Sequence, residues 1–439
     1  MNGTVTLLIL CFLGMIPSIS ADTGGGIRLE LTVFPPEAEV SVLLPEPRRG
    51  DERSLSPRHE VSSGGAPQRI YSDLPPRTRL RITAPGYEEA VVHVPNGDPR
   101  EVISIEERLL PADGPLRVAA EIPTGDGPKS VAFVPGGRLV VPLLWDRGAD
   151  AFRVTSDRYG QIGVDRIGLI APPPDHAADD GFVEPLAVAS HGELWISQMN
   201  GNRLHRFDLT ELRYQDSISA SGQWPKVIGL VSIAGDQELL VTSNWLSETV
   251  VFHDRATGEL VHEVQLQGQP RGIAVVADRQ EVWVTEFSTG DIVVIDPVSG
   301  TIQDRLPVGP GAARHIVAHP RDERLYYSDM YHGTVSIIDG ATREVRRSRR
   351  FGSNINTIAV DPRGRYLYVS ERGRNNPESY HLPGPAFGRI FVVDPDSLET
   401  VQTVWGRHQP TGLAVSEDGS LLAATDFLDD TLSIYTVDE

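Results

Sequence analysis

One short segment recurs seven times and dictates the architecture. It is an apolar strand, usually entered through Pro, and its copies begin at Pro128-Lys129-Ser130, Val183-Glu184-Pro185, Pro225-Lys226-Val227, Pro270-Arg271-Gly272, Ala313-Arg314-His315, Ile355-Asn356-Thr357 and Pro410-Thr411-Gly412. Successive spacings are 55, 42, 45, 43, 42 and 55 residues. A period of about 40–45 residues is that of a propeller blade, four strands to the blade. No sustained helical period interrupts the repeats.

The stretch from Gly268 to Val308 shows the unit most clearly. Four strands are expected, at Gly272–Val276, Glu281–Glu286, Asp291–Asp296 and Thr301–Val308. β-branched residues fill these runs, and Gly, Pro, Asp and Ser bound them. The second strand ends in Val284-Thr285-Glu286-Phe287. Comparable corners are Ile196-Ser197-Gln198-Met199, Val241-Thr242-Ser243-Asn244-Trp245, Tyr327-Ser328-Asp329-Met330, Val369-Ser370-Glu371-Arg372 and Thr425-Asp426-Phe427, with Leu144-Trp145-Asp146 a weaker copy. The last repeat holds only three strands. Leu116–Ile122 has the look of a fourth strand and is expected to complete that blade, which would remove an open edge from the ring. The order of strand, Val-Thr corner, strand ending in Ile-Asp, and return strand ending in Val-Gly resembles the YVTN-type repeat proteins. The resemblance covers about Leu116 to Glu439 and implies a seven-bladed β-propeller over residues 116–439. It assigns no activity, because one fold carries many functions.

The front of the chain differs. Residues 1–20 carry no charge and include the apolar run Val5–Ile16, followed by small residues at Ser18 and Ser20. They read as a secretory signal peptide, which places the mature protein in the periplasm, at the cell surface or outside the cell, with no membrane insertion after cleavage. Residues 27–105 begin with the alternation Ile27-Arg28-Leu29-Glu30-Leu31-Thr32-Val33, the mark of a half-buried strand. Pro35-Pro36-Glu37-Ala38-Glu39-Val40 and Pro85-Gly86-Tyr87 follow. These resemble the PEGA-type domain, which implies a small β-sandwich. Arg48–Gly65 is expected to be a long loop, and residues 106–115 a linker. The overall fold class is therefore all-β.

Charge and cysteine content narrow the function. The net charge is −20, and the acidic balance argues against nucleic acid and anionic lipid as partners. The one cysteine, Cys11, falls in the signal segment, so the mature chain has no disulfide, no thiol catalysis and no Cys-x-x-Cys-His haem site. No cofactor or metal is expected.

Propeller geometry brings the start of each innermost strand and the end of each second strand to one mouth of the central channel. The expected ligand-binding residues are Trp145, Asp146, Asn244, Trp245, Arg271, Glu286, Arg314, His315, Asp329, His332, Glu371, Arg372, Asn375, Asn376 and Asp426. Lys129, Glu184, Lys226 and His408 accompany them. The two long spacings fall at Ala171–Gly181 and Arg372–Gly388, and both would load that mouth with extra loop, a common site of binding. Asp175-His176 and Asp179-Asp180 lie in the first; the polar run Arg372–His381 lies in the second and suits carboxylates, phosphates or sugars. These features favour a non-enzymatic binding or scaffold protein whose partner is an envelope glycan, a peptide or another protein. The alternative is a lactonase-like hydrolase or a lyase, with His315, Asp329, His332 and Glu371 as acid–base or metal groups.

Overall fold

The computed structural model describes residues 27–43, 53–54, 59–61, 68–74, 78–95, 102–174, 180–233 and 237–438. The signal segment, most of Arg48–Gly65, and Asp175, His176 and Asp179 lie outside them. The chain is all-β: a seven-bladed β-propeller preceded by a small β-sandwich.

The sandwich packs two four-stranded sheets. One has the order His59–Val61, Gln68–Leu74, Ile27–Phe34, Val102–Arg108; the other Arg53–Ser54, Glu39–Leu43, Arg79–Thr83, Ala90–His93. Leu29, Leu31 and Val33 alternate inward from the first strand to meet Leu80, Ile82 and Val92 across the core. The strand Val102–Arg108 runs past the expected boundary at residue 105. It stays in parallel register with the first strand as far as Phe34 and Arg108, so the linker shortens to the residues after it.

The seven blades follow in chain order, each a four-stranded antiparallel sheet. Their innermost strands are Ala132–Val134, Phe182–Val188, Pro225–Ile233, Pro270–Val276, Ala313–Ala318, Ile355–Val360 and Pro410–Val415. Blade 4 comprises Pro270–Val276, Glu281–Glu286, Ile292–Asp296 and Thr301–Leu306, within two residues of expectation at every end. Blade 7 is closed by Leu116–Pro123, which pairs antiparallel with Thr431–Val437. The first strand of the propeller thus locks onto the last, so blade 7 has its full four strands and the ring is closed. Apolar side chains from facing sheets fill the spaces between blades; Val241, Val250 and Phe252 of blade 3 meet Val282, Val284 and Val293 of blade 4.

The recurring corner has a structural job. In blades 2, 3 and 5 its hydroxyl staples neighbouring innermost strands together. Ser243 Oγ accepts from Val227 N at 3.1 Å and donates to Arg271 O of the next blade at 3.0 Å. Ser197 spans Glu184 N and Lys226 O, and Ser328 spans His315 N and Asn356 O. Thr285 and Thr425 accept from Gly272 N and Gly412 N. A Cβ on Gly272 would lie 2.9 Å from the Cα of His315, so the close approach of blades 4 and 5 requires glycine there.

The sandwich docks on blades 6 and 7. Phe34 stacks on Phe387 at 4.5 Å and packs on Trp405 at 5.0 Å. Arg108, 6% exposed, donates to Trp405 O and pairs with Glu121. Phe387 belongs to the long connection 372–388 between the second and third strands of blade 6, so the sandwich holds one end of that mouth loop.

Candidate anion-binding mouth

Register aligns the entry residue of every innermost strand. Pro128, Phe182, Pro225, Pro270, Ala313, Ile355 and Pro410 pair with Leu143, Gln198, Asn244, Glu286, Asp329, Glu371 and Asp426. In blade 2 the entry is Phe182, one residue ahead of the expected Val183. The next residue in each blade forms a ring: Lys129, Val183, Lys226, Arg271, Arg314, Asn356 and Thr411. One residue further lie Glu184 of blade 2 and His315 of blade 5.

The cations of this ring meet in the axial space. Lys129 on blade 1 feels Arg372, Arg314, Lys226 and Arg271, which stand on blades 6, 5, 3 and 4. Only the channel brings residues of such distant blades within electrostatic reach. Lys129, Glu184, Lys226 and His315 retain some solvent contact, yet they sit deep, because their opening is the channel itself. Burial, followed by the neighbouring cations, pulls Lys129, Lys226 and Arg314 well below their ordinary ranges. Burial lowers Arg271 while Glu184 opposes it; burial takes Arg372 to about 10 against the influence of Tyr380. His315 falls to about 3, from burial and then from Arg314 and Arg271, so its ring is neutral at pH 7. Burial raises Glu184 although Arg271, Arg314 and Lys129 hold it down.

Several of these groups lack partners. Arg271 and Arg314 are each 6% exposed, and the buried Nη1 of each has no hydrogen bond. Asn356 is 0% exposed with both side-chain polar atoms unbonded, and His315 Nδ1 and Arg372 Nε are also unsatisfied. Buried polar atoms are nearly always bonded, so this cluster of unbonded donors and acceptors is unusual. Among the described residues, five cations (Lys129, Lys226, Arg271, Arg314, Arg372) face a single carboxylate, Glu184. The arrangement can hold acid groups.

Aromatic side chains rim the opening. Lys226 Nζ lies 5.1 Å and 5.8 Å from the rings of Trp224 and Trp245, and Lys129 Nζ lies 4.1 Å from that of Phe427. Trp145 packs against Phe427 and stacks on His381 at 5.3 Å. His381 and Tyr380 come from the 372–388 connection, which therefore crosses from blade 6 over blade 7 to blade 1. Gln409 of blade 7 anchors it, donating to Tyr380 O at 2.6 Å and accepting from Arg372. Asn376 folds it on itself through Pro383 O and Glu378 N, while Asn375 is exposed. The first long connection is described only at its ends.

The expected acidic mouth is not what the structure places there. Asn244, Glu286, Asp329, Glu371 and Asp426 are 0–6% exposed and turn into the loops between blades. Glu286 accepts from Gln267 N, Glu371 from Ser353 N, Asp426 from Arg407 N, and Asp329 from Ala312 N. Arg305 pairs with Glu286, Arg389 with Glu371, and His332 with Asp329 at 2.8 Å. Asn244 donates to Ala220 O. Asp146 is half-buried and accepts from Arg147 N, beside the rim and outside the cation ring. His408 also stands apart, at the domain junction between Asp429 at 3.1 Å and Glu106 at 3.8 Å. His315, Asp329, His332 and Glu371 do not assemble, and no group of three or more metal-binding side chains occurs among the described residues. Sequence reasoning gave too little weight to Lys129, Lys226 and Glu184, and it missed the run Arg343–Arg350, whose strand Val345–Arg350 is wholly exposed.

Comparison with known proteins places the chain. Residues 298–439 match the family model described as lactonase, 7-bladed beta-propeller. Among solved structures, hydrazine synthase of Kuenenia stuttgartiensis is similar with a TM-score of 0.58 at 17% identity, over 72% of this chain and 98% of that one, a likeness of fold alone. Antigen Lp49 of Leptospira interrogans is 32% identical over 381 residues, which cover 84% of this chain and 79% of that protein. With that identity over most of both lengths, the chain belongs to the family of antigen Lp49.

Proposed function

We propose that this chain is an extracytoplasmic binding protein whose propeller mouth holds an acidic glycan. The observation that carries it is the cluster of unpartnered buried donors on Arg271, Arg314 and Asn356 within a ring of cations. Guanidinium groups hold carboxylates and phosphates through paired hydrogen bonds. The rim of Trp145, Trp224, Trp245 and Tyr380 supplies flat faces of the kind on which sugar rings rest, and Trp and Tyr are enriched at interfaces for their amphipathic rings. The relative's name, an antigen, supports exposure outside the cytoplasm. The apolar segment at residues 5–16 and the sandwich, read as a PEGA-type attachment module, are consistent with an envelope protein.

A glycan array tests this. Acidic oligosaccharides are expected to bind, more weakly as salt rises, and neutral ones are not. Arg271→Met/Arg314→Met should lose the acidic ligands. Equal retention of neutral and acidic sugars, or unchanged binding by the variant, would overturn it.

A second reading has its own support. The lactonase family match covers the end of blade 4, all of blades 5 and 6, and the three C-terminal strands of blade 7, and the channel holds a neutral His315 on blade 5 and, on blade 2, a carboxyl of raised pKa, Glu184. Such a pair suits a hydrolase or lyase acting on an acidic substrate, with His315 as base and Glu184 as acid. Turnover of an acidic lactone that is lost in His315→Gln and in Glu184→Gln would favour it over simple binding.

A further inference from the structure

We propose that the mouth takes a diacid, a ligand with two separate carboxylate or phosphate groups, one held by Arg271 and Arg314 and the other by Arg372 and Lys129. This rests on the reading of the mouth as an anion site and adds what the anion must look like. The cations are not spread evenly round the ring. Arg271 and Arg314 stand on adjacent blades 4 and 5, each with an unbonded buried Nη1, and Lys226 on blade 3 flanks them. Arg372 reaches from blade 6 to Gln409 of blade 7, and Lys129 of blade 1 lies over Phe427 of blade 7. The second pair is thus centred on blade 7, which in a seven-membered ring lies opposite blades 3 and 4.

Each arc has two cationic side chains, with donors enough for the oxygens of one acid group. A single monoacid on either arc leaves the other arc's cations without an anionic partner in a largely desolvated channel, at the cost that attends an uncompensated charge there. Once one acid group is seated, the second meets its arc as an intramolecular partner at high effective concentration. Between the arcs, on blade 2, stands Glu184, which repels a third acid group. The Asn356 amide on blade 6 offers its unbonded NH2 as donor and its carbonyl as acceptor, fitting a hydroxyl between the two acids. The connection 372–388 covers the blade 7 arc through Tyr380 and His381, so this arc is the more shielded of the two.

Calorimetric titration of the full chain at constant ionic strength tests the diacid. The probes are acetate against malonate, succinate, glutarate and adipate, and inorganic phosphate against pyrophosphate. At least one dicarboxylate should bind about tenfold or more tightly than acetate, with an optimum chain length, or pyrophosphate should exceed phosphate by the same margin. A dicarboxylate optimum assigns carboxylates to the arcs; a pyrophosphate preference alone assigns phosphates. In Arg372→Met the preferred diacid should fall to the affinity of its monoacid, while the monoacid itself still binds. Lys129→Met should give the same collapse and does not disturb the Gln409 anchor of the loop. If monoacids bind but no diacid gains on them, the two-arc proposal is wrong and the anion site stands. If no anion binds at all, the anion site itself is wrong.

Discussion

Arg271 and Arg314 follow the entry residues of adjacent innermost strands, and each keeps a buried Nη1 without a hydrogen-bond partner. Two like charges so placed oppose folding, and the fold holds them there regardless. Gly272 lets the two strands approach, and Ser243 fixes the backbone of Arg271 by bonding its carbonyl. Uncompensated charge of this kind is what the proposed anion site would relieve.

Arg271→Met/Arg314→Met should therefore be more stable than the native chain when no anion is present, on the order of 1–4 kcal/mol, as when buried charges give way to apolar side chains. Urea denaturation in a buffer free of multivalent anions measures it. Destabilisation by the variant would show that the guanidinium groups are partnered after all.

Ser243→Ala removes one hydroxyl and two hydrogen bonds, those to Val227 N and Arg271 O. A loss of about 1–3 kcal/mol is expected, since both backbone groups are left in a buried setting. The same denaturation experiment reads it, and anion affinity should drop with it because Arg271 loses its fixed backbone.

His315 carries a pH signature. Its folded pKa is about 3, against the ordinary 6.5, from burial first and then from Arg314 and Arg271. The unfolded chain takes up a proton near pH 6.5 that the folded chain refuses, so this residue's share of stability is present above about pH 6.5 and is lost as pH falls toward 3. His315→Gln should lose less stability than the native chain across that window. Identical pH profiles for the two proteins would contradict the buried neutral ring.

Phe34→Ala empties the stack on Phe387 and Trp405 that seats the sandwich on blade 6. A cost of about 3–5 kcal/mol is expected for a buried phenyl ring. Calorimetry should show the sandwich transition moving down and separating from that of the propeller. The 372–388 connection should also become easier to cleave, because Phe387 anchors its end.

The fold was legible because a blade cannot form without its own punctuation. Period, entry residue and Val-Thr corner all repeat, and Leu116–Pro123 closes the ring where an unfilled fourth strand called for it. The site was less legible for the same reason. Glu286, Glu371, Asp329 and Asp426 recur because each blade must satisfy the backbone N–H groups of the loop that enters it. Repetition there reflects the scaffold. The informative position is the one that changes from blade to blade: Lys129, Val183, Lys226, Arg271, Arg314, Asn356, Thr411. Its convergence depends on seven strand entries meeting on one axis, which no local pattern reveals. A net charge of −20 also hid a cationic channel, because the acids are spread through loops and turns while a few cations gather in one place.

Calorimetric titration of inorganic phosphate into the native chain and into Arg271→Met/Arg314→Met tests the cation ring most directly. The native chain should bind phosphate most tightly at the Arg271 and Arg314 arc, with affinity falling as sodium chloride is raised, and saturation near 100 times the dissociation constant should add about 2.7 kcal/mol of stability. The variant, left with the Arg372 and Lys129 arc alone, should bind phosphate at least about tenfold more weakly and gain correspondingly less stability. Equal phosphate binding by both proteins, or by neither, would contradict an anion site at the propeller mouth.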